Sequence, residues 1–174
     1  ETAGITLSSK EQAHAQQHLA DAAILAGNML DDPRLPKQWF SLIVAIESVE
    51  HLPGEFIEAF MRQANSLISA NGLLIVVARS ATSADAAQNT IVSQINDYSL
   101  TQLTTSDSYL TAARSAGLTL IGEINLTDQA TRYWKVRHEH ELFQNSKDGW
   151  FEHQMYAAFR EGWVNYRLYI WTRD

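Results

Sequence analysis

The chain has 174 residues, enough for one domain with a proper core. Thirteen Lys and Arg against twenty Asp and Glu leave a net charge of −7, which argues against a nucleic-acid footprint, and 45% hydrophobic with 19% charged residues excludes a disordered chain. There is no cysteine, so disulfide scaffolds, thiolate zinc sites and a cysteine nucleophile are excluded.

The sequence opens on Glu1-Thr2-Ala3, without Met and without a signal peptide, and the expected location is cytoplasmic. A helix pattern begins at Ser8-Ser9, with serine as cap and Glu11 in the first turn, and runs through Gln12, Ala15, Gln16 and Leu19. Residues 22–26 read as a short strand, and Gly27-Asn28 and Asp31-Asp32-Pro33 punctuate a loop. Residues 40–46 (FSLIVAI) are almost continuously apolar, which predicts a strand buried on both faces in a parallel sheet. Pro53-Gly54 starts a helix over 55–69, with Phe56, Ile57, Phe60, Met61, Ala64, Leu67 and Ile68 at helical spacing, and Asn71-Gly72 ends it. Residues 73–77 form a second buried strand. The apolar runs are strand-length, too short to span a membrane.

Residues 80–104 are polar and long for a connection, which suggests a lid-like or binding segment. A helix over about 106–116 closes on Gly117, and 118–124 is a strand. Residues 127–162 read as a mostly helical insert, and 163–171 (WVNYRLYIW) as a final aromatic strand. Strands alternating with helices predict one α/β domain.

Five groups of residues stand out. Gly4-Ile5-Thr6-Leu7-Ser8 puts a turn at a helix N-terminus, where free N–H groups meet an acceptor; a plain capped helix start explains it equally. Asn28-Met29-Leu30 follows a strand and suits a planar aromatic ligand or a strand-end turn. Glu47, Glu50 and His51 leave a buried strand within five residues, at the end where α/β sheets bind ligands. A carboxylate there needs a partner or a task; helix capping is the alternative for Glu50 and His51. Tyr98, Tyr133, Trp134 and Trp150 offer ring faces to a cationic centre, or pack in the core. His14/His18, His138/His140 and His153 with Glu152 are poor metal candidates, and no P-loop, GxSxG or GxGxxG motif is present.

GITLS before a glutamine-bearing helix, then GNMLD, FSLIVAIESVEHL and an ANG turn into a strand, resembles the series of class I S-adenosylmethionine-dependent methyltransferases. The likeness is greatest to the branch of cyclopropane-fatty-acid synthases, tocopherol-type methyltransferases and isoprenoid-diphosphate C-methyltransferases. VSQIND, SYLTAARSAGL, NLTDQATRYWKVR and YAAFREGWVNYRLYIWTR are similar to geranyl-diphosphate 2-C-methyltransferases, so the resemblance spans essentially the whole chain.

The resemblance implies a Rossmann-like three-layer sandwich lacking the first strand and its glycine-rich loop, because in that family both precede GITLS. Residues 1–174 are then expected to be part of a methyltransferase domain, inactive alone, from an enzymatic parent. Thr6 and Leu7 match the ribose side of the cofactor, Asn28 and Met29 the adenine side, and Gln12 a family glutamine displaced by one residue. Glu47 matches an active-site acid that borders the cofactor and stabilises a carbocation or takes its proton. Glu50-His51 matches a Glu-His pair on the acceptor side, where Asn96, Tyr98, Tyr133 and Trp134 are also expected. The implied cofactor is S-adenosylmethionine, and the acceptor a small molecule, first an isoprenoid diphosphate. A diphosphate implies Mg²⁺, whose ligands are unassigned: there is no DDxxD cluster, and Asp31-Asp32 reads as a turn. Other lipid or secondary-metabolite acceptors, a homo-oligomer, and a non-catalytic fragment completed by a partner remain open. Neither nucleic acid nor a membrane span is expected.

Overall fold

The structure, a computed structural model, describes residues 2–140, 146 and 148–173. The chain begins with β1 (Thr2–Thr6), α1 (Ser9–His18) and β2 (Ala22–Ala26). Ser8 caps α1 by accepting from the Glu11 amide. This satisfies one of the first-turn N–H groups that a helix leaves without partners. β1 and β2 pair in parallel from Thr2↔Ala22 to Thr6↔Ala26.

A second sheet has the order β3-β4-β6-β5, from β3 (Phe40–Ile46), β4 (Ile68–Ala81), β5 (Leu118–Asn125) and β6 (Val164–Arg173). β3 runs parallel to β4, and β6 is antiparallel to both β4 and β5, so the sheet is mixed rather than wholly parallel. A one-turn 3-10 helix (Val49–His51) and α2 (Gly54–Leu67) connect β3 to β4. α2 stops at Leu67 and β4 begins at once. Asn71-Gly72, read as a helix terminator, lies inside β4 as an irregularity: Asn71 is left-handed at φ 61°, and the register moves from Phe40↔Ile68 to Leu42↔Leu73. A Cβ at Gly72 would stand 2.4 Å from Ile68 Cγ2 and 2.9 Å from the Phe40 carbonyl, so only glycine fits.

β4 continues to Ala81, and α3 (Ala84–Ala87) and α4 (Thr90–Ser99) follow, burying Val92 and Ile95. α5 (Ser106–Ser115) precedes β5. The insert supplies α6 (Thr127–Glu139) and α7 (Gly149–Arg160); its residues 141–145 and 147 lie outside the described ones. No described helix is long and apolar enough to cross a membrane.

Two cores result. In the first, Ile57, Phe60, Met61 and Ala64 of α2 meet Leu74, Val76 and Ala78 of β4, Tyr109 of α5, and Tyr169 and Trp171 of β6. In the second, α4, α6 and α7 pack through Val92, Ile95, Ala130, Met155, Ala158 and Phe159 against Val164. Each large apolar side chain buried this way contributes about 1.5–3 kcal/mol.

Among the described residues, β1 bonds only to β2, and β3 only to β4. Their unpaired edges border one cavity of about 930 Å³, lined by residues 3–6 of β1, by Leu7 after it and by 42–46 of β3. The expectation that β3 is buried on both faces is therefore corrected. Leu42, Val44 and Ile46 are 48, 51 and 60% exposed, because no element covers them among the described residues.

Candidate functional site

The parallel strands put their C-terminal ends together. Thr6, Gly27, Asn28, Met29 and Glu47 all border the 930 Å³ cavity. The Gly27 amide donates to the Thr6 carbonyl at 2.9 Å, which extends the β1–β2 ladder to the rim. A Cβ on Gly27 would lie 2.0 Å from Asp32 Oδ2, so the turn after β2 closes only over glycine. Thr6 Oγ1 donates to Glu11 at 2.6 Å and accepts from the Ser8 amide, while Leu7 projects outward at 80% exposure. Asn28 Oδ1 accepts from the Leu30 amide, an Asx turn that turns Met29 onto the first core. Gln12 faces away from this rim and donates to the Ile24 carbonyl, tying α1 to β2.

Glu47 follows β3 with a left-handed backbone, φ 47°, uncommon for a residue with a side chain. Its amide stays on the ladder through the Val77 carbonyl. Its side chain turns towards a second cavity of about 480 Å³, lined by Arg79, Gln129, Tyr133, Trp134, Arg137, Phe159 and Tyr166 among others. Glu47 lines both cavities. Tyr166 donates its phenolic hydrogen to Glu47 Oε1 at 2.8 Å. Burial first, then that bond and the Glu47 charge, pushes the Tyr166 phenol well above its ordinary value.

The two guanidiniums of this cavity are paired from behind. Arg79 Nε donates to Glu50 Oε1 at 3.0 Å, and Glu50 is fully buried. Arg137 Nε donates to Glu152 Oε2 at 2.7 Å and its Nη2 to Oε1, a bidentate fork. That fork holds Arg137 well above its ordinary value. Arg137 also sits 5.5 Å from the Tyr133 ring centre and 5.6 Å from that of Trp134.

Of the residues expected on the acceptor side, Tyr133 and Trp134 line this second cavity. Glu50 lies behind Arg79 and neutralises it. His51 borders the first cavity instead, its Nδ1 3.1 Å from the Leu100 carbonyl. Asn96 Oδ1 accepts from Thr101 and from the Leu103 amide, closing the end of α4. Tyr98 stacks on Phe151 at 4.5 Å and donates to Asp148; two rings, Phe151 and Trp134, separate it from the cavity. Trp150 lies beside it, 6.0 Å away. No group of three or more His, Asp or Glu among the described residues is placed to hold a metal ion.

Sequence reasoning missed Arg79, Gln129, Arg137, Phe159 and Tyr166. Arg79 carried a signal: it is a charge at the end of the apolar run LLIVVAR, the same pattern that singled out Glu47. Tyr166 carried none, because its position depends on the pairing Arg79↔Tyr166 between β4 and β6.

No family model and no curated protein matches the chain. Solved structures do. A geranyl diphosphate methyltransferase in complex with S-adenosylmethionine superposes with a TM-score of 0.87 at 20% identity, over 99% of this chain and 68% of that one. A geranyl diphosphate C-methyltransferase from Streptomyces coelicolor, in complex with Mg²⁺, geranyl diphosphate and S-adenosylhomocysteine, gives 0.87 at 19% identity, over 99% and 64%. A cyclopropane synthase from Mycobacterium tuberculosis gives 0.75 at 14%, over 98% and 69%. The chain has the class I methyltransferase fold and spans about two thirds of the length of these structures.

Proposed function

We propose that this chain is the greater part of a methyltransferase domain that uses S-adenosylmethionine and methylates carbon in an isoprenoid diphosphate-like acceptor. One observation carries the reading: Glu47 lines both the cavity at the strand ends and the aromatic cavity. A donor in the first and an acceptor in the second would meet at its carboxylate. The likeness to methyltransferases solved with the same cofactor supports that assignment.

Thr6, Leu7, Asn28 and Met29 would hold the ribose and adenine sides. The bound cofactor supplies an electrophilic methyl on sulfur. The rings of Tyr133, Trp134, Phe159 and Tyr166 favour positive charge developing on an alkene carbon, and Glu47 stands ready to take the proton that the methylated carbon must lose. Among the described residues, no group of three or more acidic side chains or histidines is placed to hold Mg²⁺.

The gap between β1 and β3 supports completion of the cofactor side by one further strand and its loop. The test is methyl transfer from radiolabelled S-adenosylmethionine to a panel of isoprenoid diphosphates by the full-length protein. We expect turnover by wild type and a loss of roughly 10²–10⁴-fold in Glu47→Gln. Wild-type protein that turns over none of the panel sinks the acceptor assignment. A second reading, methylation of N, O or C on another lipid or secondary metabolite, rests on the paired state of Arg79 and Arg137, which leaves the cavity little pull on an anion. A third, a non-catalytic chain completed by a partner, rests on the same gap.

A further inference from the structure

We infer that Tyr166 is a positioning residue for the Glu47 carboxylate; the inference rests on the proposed function of that site. Three observations converge. The phenol donates to Glu47 Oε1 at 2.8 Å, across 119 residues of sequence. Glu47 lines both cavities, so the carboxylate held by this bond stands where the two meet. The ring that does the holding is fixed at its backbone on both sides: the Tyr166 amide donates to Thr127 Oγ1 at 3.1 Å, and its carbonyl accepts from the Leu126 amide at 2.8 Å.

Leu126 and Thr127 open α6, the helix that carries Tyr133 and Trp134. The rings lining the acceptor cavity and the phenol aiming the carboxylate are thus built on one joint between α6 and β6. Glu47 needs such an anchor. Its side chain is flexible, the residue is exposed, and its left-handed backbone costs of order 1–3 kcal/mol unless the surroundings hold it. Positioning of a reacting carboxylate to within a fraction of an ångström affects turnover far more than binding.

The test is a double-mutant cycle in the full-length protein. Tyr166→Phe is expected to lower kcat about tenfold to hundredfold, the size set by a hydrogen bond to a charged group. The cofactor Kd and the acceptor KM should stay within about twofold. In a Glu47→Gln background, Tyr166→Phe should cost almost nothing more, since there is no carboxylate left to hold. Fluorotyrosine at position 166 keeps the hydroxyl and should restore turnover. A purely structural role would lower both backgrounds equally, and that result, or an unchanged kcat in Tyr166→Phe, overturns the inference.

A readout without turnover separates this inference from the function it rests on. Ionisation of difluorotyrosine placed at position 166, followed by phenolate absorbance, should shift to lower pH in Glu47→Gln, because the carboxylate raises it in the native protein. Identical midpoints overturn the positioning of Glu47 even if methyl transfer is found. A shifted midpoint with no acceptor turned over upholds the pair and removes the proposed reaction.

Discussion

β3 and β4 are neighbours in one sheet and nearly alike in sequence, FSLIVAI beside LLIVVA, yet they differ in burial. In β4, Leu74, Val76 and Ala78 are inaccessible. In β3, Leu42, Val44 and Ile46 are about half exposed. β4 has a strand on each side, whereas β3 has one neighbour and an open edge on the 930 Å³ cavity. The difference extends to their ends. β4 delivers Arg79 into a buried ion pair, and β3 delivers Glu47 to the rim of two cavities. A continuous apolar run records the burial a strand is built for; what stands beside it decides whether that burial is met.

The largest effect should come at the closed end. Glu50→Ala leaves Arg79, 6% exposed, without its carboxylate, and is expected to cost about 3–5 kcal/mol in chemical denaturation. Glu50→Gln keeps a hydrogen-bond acceptor and should cost less. Equal losses would mean that the charge, which both substitutions remove, holds this corner rather than the shape and acceptor that glutamine keeps.

Next come the strands themselves. Leu74→Ala should cost about 2–5 kcal/mol, the range for emptying a filled core position. In the 174-residue chain, Leu42→Ala should cost under about 1 kcal/mol, since the side chain is already half in water. The comparison sharpens if the second figure rises in a full-length protein, where a covering element would bury Leu42. It breaks if both substitutions cost the same in the short chain.

Element types are local, so residues 22–26, 40–46 and 106–116 were legible from apolar spacing, caps and glycine. Glu47 was legible because a carboxylate leaving an apolar run is costly unless used. Register is not local. The long β4 with Asn71 left-handed inside it, the placing of Tyr166 beside Arg79, and the withdrawal of Glu50 behind that arginine all follow from pairings between distant strands. The aromatic residues divide on the same ground: Tyr133 and Trp134 reach the cavity because α6 starts against β6, while Tyr98, on α4, stacks on α7 instead.

The smallest effect belongs to the turn after β2, on the open side of the comparison. Arg34 donates from its side chain and its backbone amide to Asp32, which lowers the Asp32 carboxyl from 3.8 to about 2. A carboxyl lowered on folding contributes stability that is complete above its unfolded value and is lost as pH falls towards the folded one. The window is therefore pH 4 down to pH 2. Arg34 is 53% exposed in this pair, so salt screens it and the gain is small. Melting wild type and Asp32→Asn side by side should give a gap in Tm that is constant above pH 4 and closes towards pH 2. A gap that persists to pH 2 would mean the turn is held by its backbone geometry, with Gly27 seated against residue 32, and that the charge adds nothing on this side of the molecule.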